Sequence, residues 1–233
     1  MKPTTVIGIP TAPQRAKVLE FAGMDGAAVV PPQLDALLAR LLASAGGLLS
    51  VVGRYAVCRA SVSDGAVSIE GGPTFVGRAL SGTLQGSFRI CMMAVTVGDA
   101  VSRASRGAMD QGRFTEGLLL DAIGSAAVEA AADQIQKVAV RSVGDPSIIA
   151  GERVSPGYCD FRVEEQGGLL DALGAVAVGI TVNGSSFMSP EKSVSAVFGM
   201  GRDGEGGFSR NRRPPCRTCS NRVCRYRVVK TGH

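Results

Sequence analysis

The sequence contains no tryptophan, and its 233 residues include a single histidine, His233. Because that histidine belongs to the basic C-terminal stretch, the core has no imidazole that could act as a general acid or base or activate a nucleophile. Histidine-dependent catalytic triads and dyads are therefore excluded. With 45% hydrophobic residues, the chain is nevertheless long and apolar enough to bury a full core.

Long apolar runs are also missing. No run reaches the roughly 18 residues that a membrane helix requires, and the apolar stretch at residues 6–10 is too short for a signal peptide. We therefore expect a cytoplasmic protein that does not enter the membrane. In that compartment its six cysteines are expected to be thiols, metal ligands or redox groups rather than structural disulfides.

Basic charge is concentrated towards the C-terminal end. Residues 202–233 hold nine Lys or Arg and two acidic residues, a net charge of +7, which leaves −2 for residues 1–201. Glycine is frequent at 199–207 and two prolines follow at 214–215, a composition typical of a linker. We predict a folded domain over residues 1–200, a Gly/Arg-rich linker over 201–213 and a basic cysteine-rich tail over 214–233.

Hydrophobic periodicity predicts helices and strands in separate blocks. Leucines recur at intervals of three and four between Gln33 and Ala45, which predicts a helix that follows the proline pair at 31–32. Further predicted strands are 55–62, 66–70, 89–97, 180–182 and 194–200, and further predicted helices are 100–111 and 169–178. The last two strands are expected to pair. This order suggests an α+β fold in which several helices pack on a largely antiparallel sheet.

The longest helix is predicted from Glu116 to about Val140, with Thr115 as its N-cap. Its alanines at 126, 127 and 130–132 would let it lie close to a sheet. Four polar residues recur every four positions and form one stripe along this helix: Asp121, Ser125, Glu129 and Asp133. Such a stripe is more often solvated than part of a ligand site.

One motif is rejected on its context. Residues 199–204 match G-x-G-x-x-G after a predicted strand, as a dinucleotide-binding fingerprint would. The next residues, Glu-Gly-Gly-Phe, are poorly suited to open a helix, so the phosphate-binding helix N-terminus is missing. We interpret the match as part of a flexible linker.

Residues 153–158, Arg-Val-Ser-Pro-Gly-Tyr, combine a cation, a rigid turn and an aromatic ring. In an ordinary turn, Pro156 would fix one dihedral angle, Gly157 would permit a positive one, and Arg153 would be solvated. In a binding site, the loop would present backbone amides to a ligand, Arg153 would offer its fork to a carboxylate and Tyr158 its ring face. The residues alone leave both interpretations open.

The R-x-x-P-G-Y pattern resembles the S-adenosylmethionine-binding signature of the activation domain of cobalamin (vitamin B12)-dependent methionine synthase. Residues 119–129, LLDAIGSAAVE, resemble the long helix of that family. Residues 180–195, ITVNGSSFMSPEKSVS, resemble its S-F-x-M-x-P-x-x-S-V-S hairpin, with one residue fewer between Phe187 and Met188. The three elements occur in the family's order and cover about residues 118–198. The chain departs from the pattern in lacking tryptophan and the family's tyrosine beyond the hairpin.

The resemblance implies a methionine synthase activation-domain-like fold and an accessory protein that binds S-adenosylmethionine for the reductive activation, or remethylation, of a cobalamin-dependent methyltransferase. It assigns Arg153 to the ligand's carboxylate, Glu129 to the ammonium or ribose hydroxyls, and Ser155, Gly157 and Tyr158 to the adenosine. Nothing in the chain resembles a cobalamin-binding module, so cobalamin is expected on a partner corrinoid protein, with methionine synthase as the expected partner. No catalytic residue is expected, because a reduced cobalt is itself the nucleophile and the protein mainly positions the methyl donor.

The tail contains a second pattern, C-x-x-C-x-x-x-x-C, at Cys216, Cys219 and Cys224. Two thiolates at this spacing can bind one metal, and a third can complete one face of a tetrahedron. Cys159 is the favoured fourth ligand. The less favoured candidates are His233, Cys58 and Cys91. Zinc would make the tail structural, whereas an iron–sulfur cluster would suggest electron delivery to cobalt from a donor.

The basic tail leaves another class of function open. Clustered arginines around cysteines are also typical of modules that bind nucleic-acid phosphates, and Tyr226 could stack on a base. The same charge could dock the tail onto an acidic corrinoid protein. The alternative to the accessory role is therefore a basic cysteine-rich module for nucleic acid or metal on a non-catalytic scaffold, although nucleic acid is not the expected partner.

Overall fold

The structure, a computed structural model, describes residues 2–24 and 30–211. Its helices are α1 Arg15–Phe21, α2 Pro32–Ser44, α3 Arg78–Leu84, α4 Ala100–Asp110, α5 Phe114–Arg141 and α6 Glu165–Leu173. Its strands are β1 Thr4–Ile7, β2 Val52–Cys58, β3 Ala60–Ser63, β4 Ala66–Ile69, β5 Thr74–Val76, β6 Arg89–Thr96, β7 Ile149–Val154, β8 Thr181–Val182, β9 Met188–Ser189 and β10 Ser193–Gly201.

A five-stranded sheet in the order β1-β2-β6-β10-β7 forms the centre of the fold. Every neighbouring pair in it is antiparallel. Strands β3, β4 and β5 form a second antiparallel sheet, and β8 pairs with β9. The predicted α+β class with a largely antiparallel sheet is confirmed.

Strand β6 shows why both faces of the central sheet are covered. Its side chains alternate between two hydrophobic clusters, with Ile90 and Met92 in one and Cys91 and Met93 in the other. The first cluster includes residues of α3, α6 and the small sheet, and the second includes four alanines of α5 at positions 127, 131, 132 and 139. Since neither face is exposed, β6 is apolar almost throughout and not alternating.

Helix α5 lies against the central sheet through small side chains, as predicted. Ala127, Ala131 and Ala132 are buried in the cluster that covers β2, β6 and β10. The helix begins one residue before the predicted cap. Its first hydrogen bond joins the amide of Gly117 to the carbonyl of Arg113 at 3.0 Å, so Thr115 lies inside the first turn and the prediction that it caps the helix is wrong.

Two predicted elements are corrected. The helix predicted over 169–178 is α6, which ends at Gly174 in the left-handed conformation (φ 58°) and is followed by a 3-10 turn. The strand near 180–182 pairs with β9 and not with β10, because the intervening residues fold back as a short hairpin.

The glycines at 199 and 201 belong to β10 and do not form a flexible linker. A Cβ at Gly201 would lie 2.8 Å from Cγ of Phe208, and one at Gly199 would fall onto the hydroxyl of Ser87. Phe208 is 2% exposed and packs over both positions. These glycines therefore permit close packing at the end of a core strand.

None of the helices in the two described ranges has the length and apolarity needed to cross a membrane.

Candidate ligand-binding site

A cleft of about 520 Å³ lies between α5, β7 and the loop that follows β7. Its volume is in the range of small-molecule sites. Its lining residues are Glu129, Asp133, Gln136, Ala150, Gly151, Glu152, Arg153, Ser155, Tyr158, Val194, Arg210 and Asn211. The cleft thus combines the long helix, the signature loop and the last described residues of the chain.

Arg153 is the central cation of this cleft. It stands near the end of β7, opposite Phe198 of β10, and its side chain is 19% exposed. Its Nη2 lies 3.0 Å from Oε2 of Glu129, and its Nη1 lies 2.6 Å from Oδ1 of Asp133. Nη1 also donates to Oε1 of Gln136 at 3.3 Å. Arg153 is therefore held by three side chains on one face of α5.

The spacing of these three partners follows from the helix. Glu129, Asp133 and Gln136 are four and three residues apart, which places them on successive turns of the same face. The polar stripe is therefore not simply solvated. The N-terminal half of the stripe is paired with a second cation, Lys192. The Nζ of Lys192 lies 2.7 Å from Asp121 and 3.1 Å from the hydroxyl of Ser125.

The loop after β7 is closed by its own backbone. The amide of Gly157 donates to the carbonyl of Phe161 at 2.7 Å, and the amide of Tyr158 donates to the carbonyl of Ser155 at 3.1 Å. Gly157 has a φ of 92°, which favours glycine over other residues. These two amides therefore form hydrogen bonds within the loop. Tyr158 is 53% exposed and is one of the residues that line the cleft.

The far end of the loop is fixed to the body of the protein. Phe161 is fully buried and contacts Phe75 edge to face, with 5.4 Å between the ring centroids. The carboxylate of Asp160 accepts hydrogen bonds from the amides of Arg78 and Ala79 at the start of α3. Since Asp160 and Phe161 lie two and three residues after Tyr158, these contacts hold the loop in place at the rim of the cleft.

The described lining of the cleft contains more acidic than basic side chains. Among its described lining residues, three are acidic, Glu129, Asp133 and Glu152, and two are cations, Arg153 and Arg210. The difference is one net negative charge. A cleft of this kind favours a ligand that carries a carboxylate together with an excess of positive charge.

The structure brings together most of the residues predicted from the sequence. Glu129, Arg153, Ser155 and Tyr158 line one cleft, whereas Gly157 shapes the loop and does not line it. The sequence did not predict the other eight lining residues, which are Asp133, Gln136, Ala150, Gly151, Glu152, Val194, Arg210 and Asn211. The register of α5 could have indicated Gln136, which follows Glu129 by two turns.

The predicted metal ligands fall into two groups. Cys216, Cys219, Cys224 and His233 lie outside the described residues. Cys159 is partly buried beside the cleft and, with Ser186, is one of two non-glycine residues at positive φ in the described ranges. Within those ranges no group of three or more His, Cys, Asp or Glu side chains could hold a metal ion.

Cys58 and Cys91 are buried on opposite faces of the central sheet. Burial raises the pKa of the Cys58 thiol, and burial together with the nearby Cys58 raises that of Cys91 well above its usual range. Buried thiols with raised pKa values are poor metal ligands, because metals bind the thiolate. Both residues are therefore core residues.

Comparison with known proteins gives a fold and no family. No family model matches the chain, and no curated protein matches it. Among solved structures, the crystal structure of the MetH reactivation domain bound to AdoHcy is similar, with a TM-score of 0.64 and 14% sequence identity. The match covers 85% of this chain and 78% of that one. The chain therefore has the activation-domain fold that its sequence motifs indicate.

Proposed function

We propose that this protein binds S-adenosylmethionine in the cleft at Arg153 and serves as an accessory protein for the remethylation of a cobalamin-dependent methyltransferase. The fold supports this proposal, because the similar reactivation domain was solved with AdoHcy, the demethylated form of the same ligand. The observation that carries the proposal is the position of Arg153 between Glu129 and Asp133.

The ion pairs of Arg153 suit a ligand that carries an amino acid group. The carboxylate of S-adenosylmethionine would replace an acidic side chain on the guanidinium, and the released side chain would accept the ligand's ammonium group. This exchange leaves neither the half-buried Arg153 nor the released carboxylate without a partner, which matters because an uncompensated charge removed from water is costly. The ligand's sulfonium gives it a net positive charge, which complements the net negative charge of the cleft.

The remaining lining residues suit the adenosine half of the ligand. The Tyr158 ring is exposed on a rigid loop and offers an apolar face to a purine. Ser155 and Gln136 supply polar groups nearby. In the proposed role, Arg153, Glu129 and Tyr158 orient the methyl donor and hold it at the cleft, which is open to a partner. Cobalamin bound to that partner would supply the nucleophile.

Calorimetric titration with two related ligands tests this proposal. We expect S-adenosylmethionine to bind and 5′-methylthioadenosine, which has the adenosine but no amino acid group, to bind at least about tenfold more weakly. Arg153→Ala should remove this preference. Arg103→Ala is the matched control, because Arg103 is an exposed arginine of α4 that does not line the cleft. Equal affinity of the wild type for both ligands would contradict the proposed role of Arg153.

The proposed function includes a metal in the tail. Cys216, Cys219 and Cys224 have a spacing that suits zinc or an iron–sulfur cluster. Zinc would fix the fold of the tail, whereas a cluster would carry electrons from a donor to the partner's cobalt. Elemental analysis of the full chain purified without oxygen, compared with Cys216→Ser, tests for the metal and identifies it.

A further inference from the structure

We propose that Gln136 is the positioning residue that fixes Arg153 in the ligand-binding cleft and thereby sets the preference of the cleft for ligands that carry a carboxylate. The preference rests on the proposed function, because it is measured with S-adenosylmethionine. The positioning of Arg153 does not depend on that function, and it can be measured without any ligand.

An irregularity in β7 precedes Arg153. Arg153 lies opposite Phe198 of β10. Three residues earlier in β7, Ala150 lies opposite Met200. Two residues of β7 therefore face a single residue of β10 between these pairs. This is the arrangement of a β-bulge, in which one strand holds one residue more than its partner.

The bulge explains why Arg153 faces α5. Side chains alternate along a regular strand, so residues three apart face opposite sides of the sheet. Here Ala150 packs against the hydrophobic cluster that contains the four alanines of α5, and Arg153 also contacts side chains of α5. A regular strand with Ala150 in that cluster would direct position 153 to the other face of the sheet. The place of Arg153 in the cleft therefore depends on the bulge.

Gln136 joins this bulge to the guanidinium of Arg153. Its Nε2 donates to the carbonyl of Gly151, one of the two bulge residues, at 2.9 Å. Its Oε1 accepts from Nη1 of Arg153 at 3.3 Å. A carbonyl can only accept and a guanidinium can only donate, so both partners require the same orientation of the amide. One side chain of α5 thus holds both the bulge and the arginine that the bulge directs towards the helix.

The chemistry of these two contacts favours glutamine. A glutamate could accept from Arg153 but could not donate to Gly151, and a lysine could donate but not accept. Gln136 also carries no charge, unlike Glu129 and Asp133. In the proposed exchange the ligand's carboxylate replaces an acidic partner of Arg153, and a neutral amide does not compete with it. Gln136 therefore keeps Arg153 in position while the charged partners change.

Calorimetric titration of Gln136→Met tests the preference, because methionine has a similar length and can replace neither hydrogen bond. We expect S-adenosylmethionine to bind about tenfold more weakly, as after the loss of a hydrogen bond to a charged group, and the affinity for 5′-methylthioadenosine to change by less than about twofold. Gln134→Met is the matched control, since Gln134 is a partly buried glutamine of the same helix that does not line the cleft. It should leave both affinities unchanged.

Gln136→Glu keeps the test informative if Gln136→Met folds poorly. The new side chain has the same length but cannot donate to Gly151, and its charge competes with the ligand's carboxylate for Arg153. We expect the preference for S-adenosylmethionine over 5′-methylthioadenosine to fall by at least about tenfold here too. An equal loss of affinity for both ligands would indicate a purely structural role and overturn the proposal. A preference that is unchanged in both variants would overturn it as well.

NMR of the ligand-free protein measures the positioning of Arg153 directly. The signals of its guanidinium are assigned by their loss in Arg153→Lys. Contacts with three side chains of α5 should slow the rotation of this group in the wild type. Gln136→Met should increase the rotation rate severalfold, whereas Gln134→Met should not change it. An unchanged rate in Gln136→Met would contradict the positioning role. Absence of S-adenosylmethionine binding in the wild type would count against the proposed function alone, because the NMR signals decide the positioning independently.

Discussion

Asp160 caps a helix to which it does not belong, because its carboxylate accepts the amide of Ala79 at 3.0 Å at the start of α3. The contact joins residues 81 positions apart and fixes the end of the loop that carries Tyr158. It satisfies an amide that otherwise has no partner within the helix. The rim of the cleft thus depends on a cap supplied from outside the helix.

Replacing this cap should destabilise the protein. We expect Asp160→Ala to lower the free energy of unfolding by about 1 kcal/mol, the usual cost of losing an N-cap side chain. Asp160→Asn should cost less, because the amide oxygen still accepts a backbone hydrogen bond. Urea unfolding followed by circular dichroism measures both. Equal stability of the wild type and both variants would show that the cap contributes nothing.

The two acidic partners of Arg153 should differ in importance for ligand binding. The side chain of Glu129 is 39% exposed and that of Asp133 is 59% exposed, so the ion pair with Asp133 is more strongly screened by solvent. We expect Glu129→Gln to weaken S-adenosylmethionine binding by about tenfold and Asp133→Asn by less. Each substitution should change stability by less than about 1 kcal/mol. Calorimetric titration gives the order, and a larger effect at Asp133 would contradict it.

Gly199 provides a test of close packing at the end of β10. A Cβ at this position would meet the Ser87 hydroxyl and lie 3.4 Å from the Phe208 ring. Gly199→Ala should therefore lower the free energy of unfolding by about 1–3 kcal/mol, as overpacking usually does. Gly107→Ala is the matched control, because Gly107 lies within α4 and has nothing within 4 Å of its Cβ position. That control should stabilise the protein by up to about 1 kcal/mol. Similar effects of the two substitutions would contradict the packing role.

Much of the fold was predictable because its elements carry strong local signals. The helix after the proline pair at 31–32, the long alanine-rich helix α5 and the strand β6 have clear periodicity or long apolar runs. Strands β1, β5, β7 and β9 and helices α1 and α3 were missed, because they are two to seven residues long and depend on their tertiary neighbours. The glycines of β10 were misinterpreted for a related reason, since only the neighbouring Phe208 shows that they permit packing.

The site was predictable to a similar extent. Arg153 and Tyr158 belong to a recognisable motif, whereas Glu129 was assigned only through the family resemblance, since its place on the polar stripe alone favoured a solvated residue. The ion pairs with Arg153 could not be predicted, because the partners lie 20 and 24 residues earlier in the chain and meet it only through the packing of α5 beside β7. Arg210 and Asn211 reach the cleft through the course of the chain after β10, which no local pattern indicates.

Acid should weaken the contact between Asp145 and Arg202, which joins the turn before β7 to the end of β10. Hydrogen bonds from Ser147 and from Arg202, which lies 2.7 Å away, lower the pKa of Asp145. A carboxyl whose pKa is lowered by folding contributes stability above its unfolded pKa, and it loses that contribution as the pH falls through its folded pKa. The difference in urea midpoint between the wild type and Asp145→Asn should therefore be largest near neutral pH and shrink in acid. A difference that grows in acid would contradict this assignment.

The described cysteines should differ in their reactivity towards a thiol reagent. Cys58 and Cys91 are buried and their pKa values are raised, so little thiolate is present and the reagent has no access to it. Cys159 is partly exposed at the rim of the cleft.

In a variant whose tail cysteines at 216, 219 and 224 are replaced by serine, we expect one thiol to react rapidly with a disulfide reagent under native conditions. The other two should react only after unfolding in denaturant. Mass spectrometry of the labelled peptides should identify the fast site as Cys159, and rapid labelling of Cys58 or Cys91 in the folded protein would contradict their burial in the sheet.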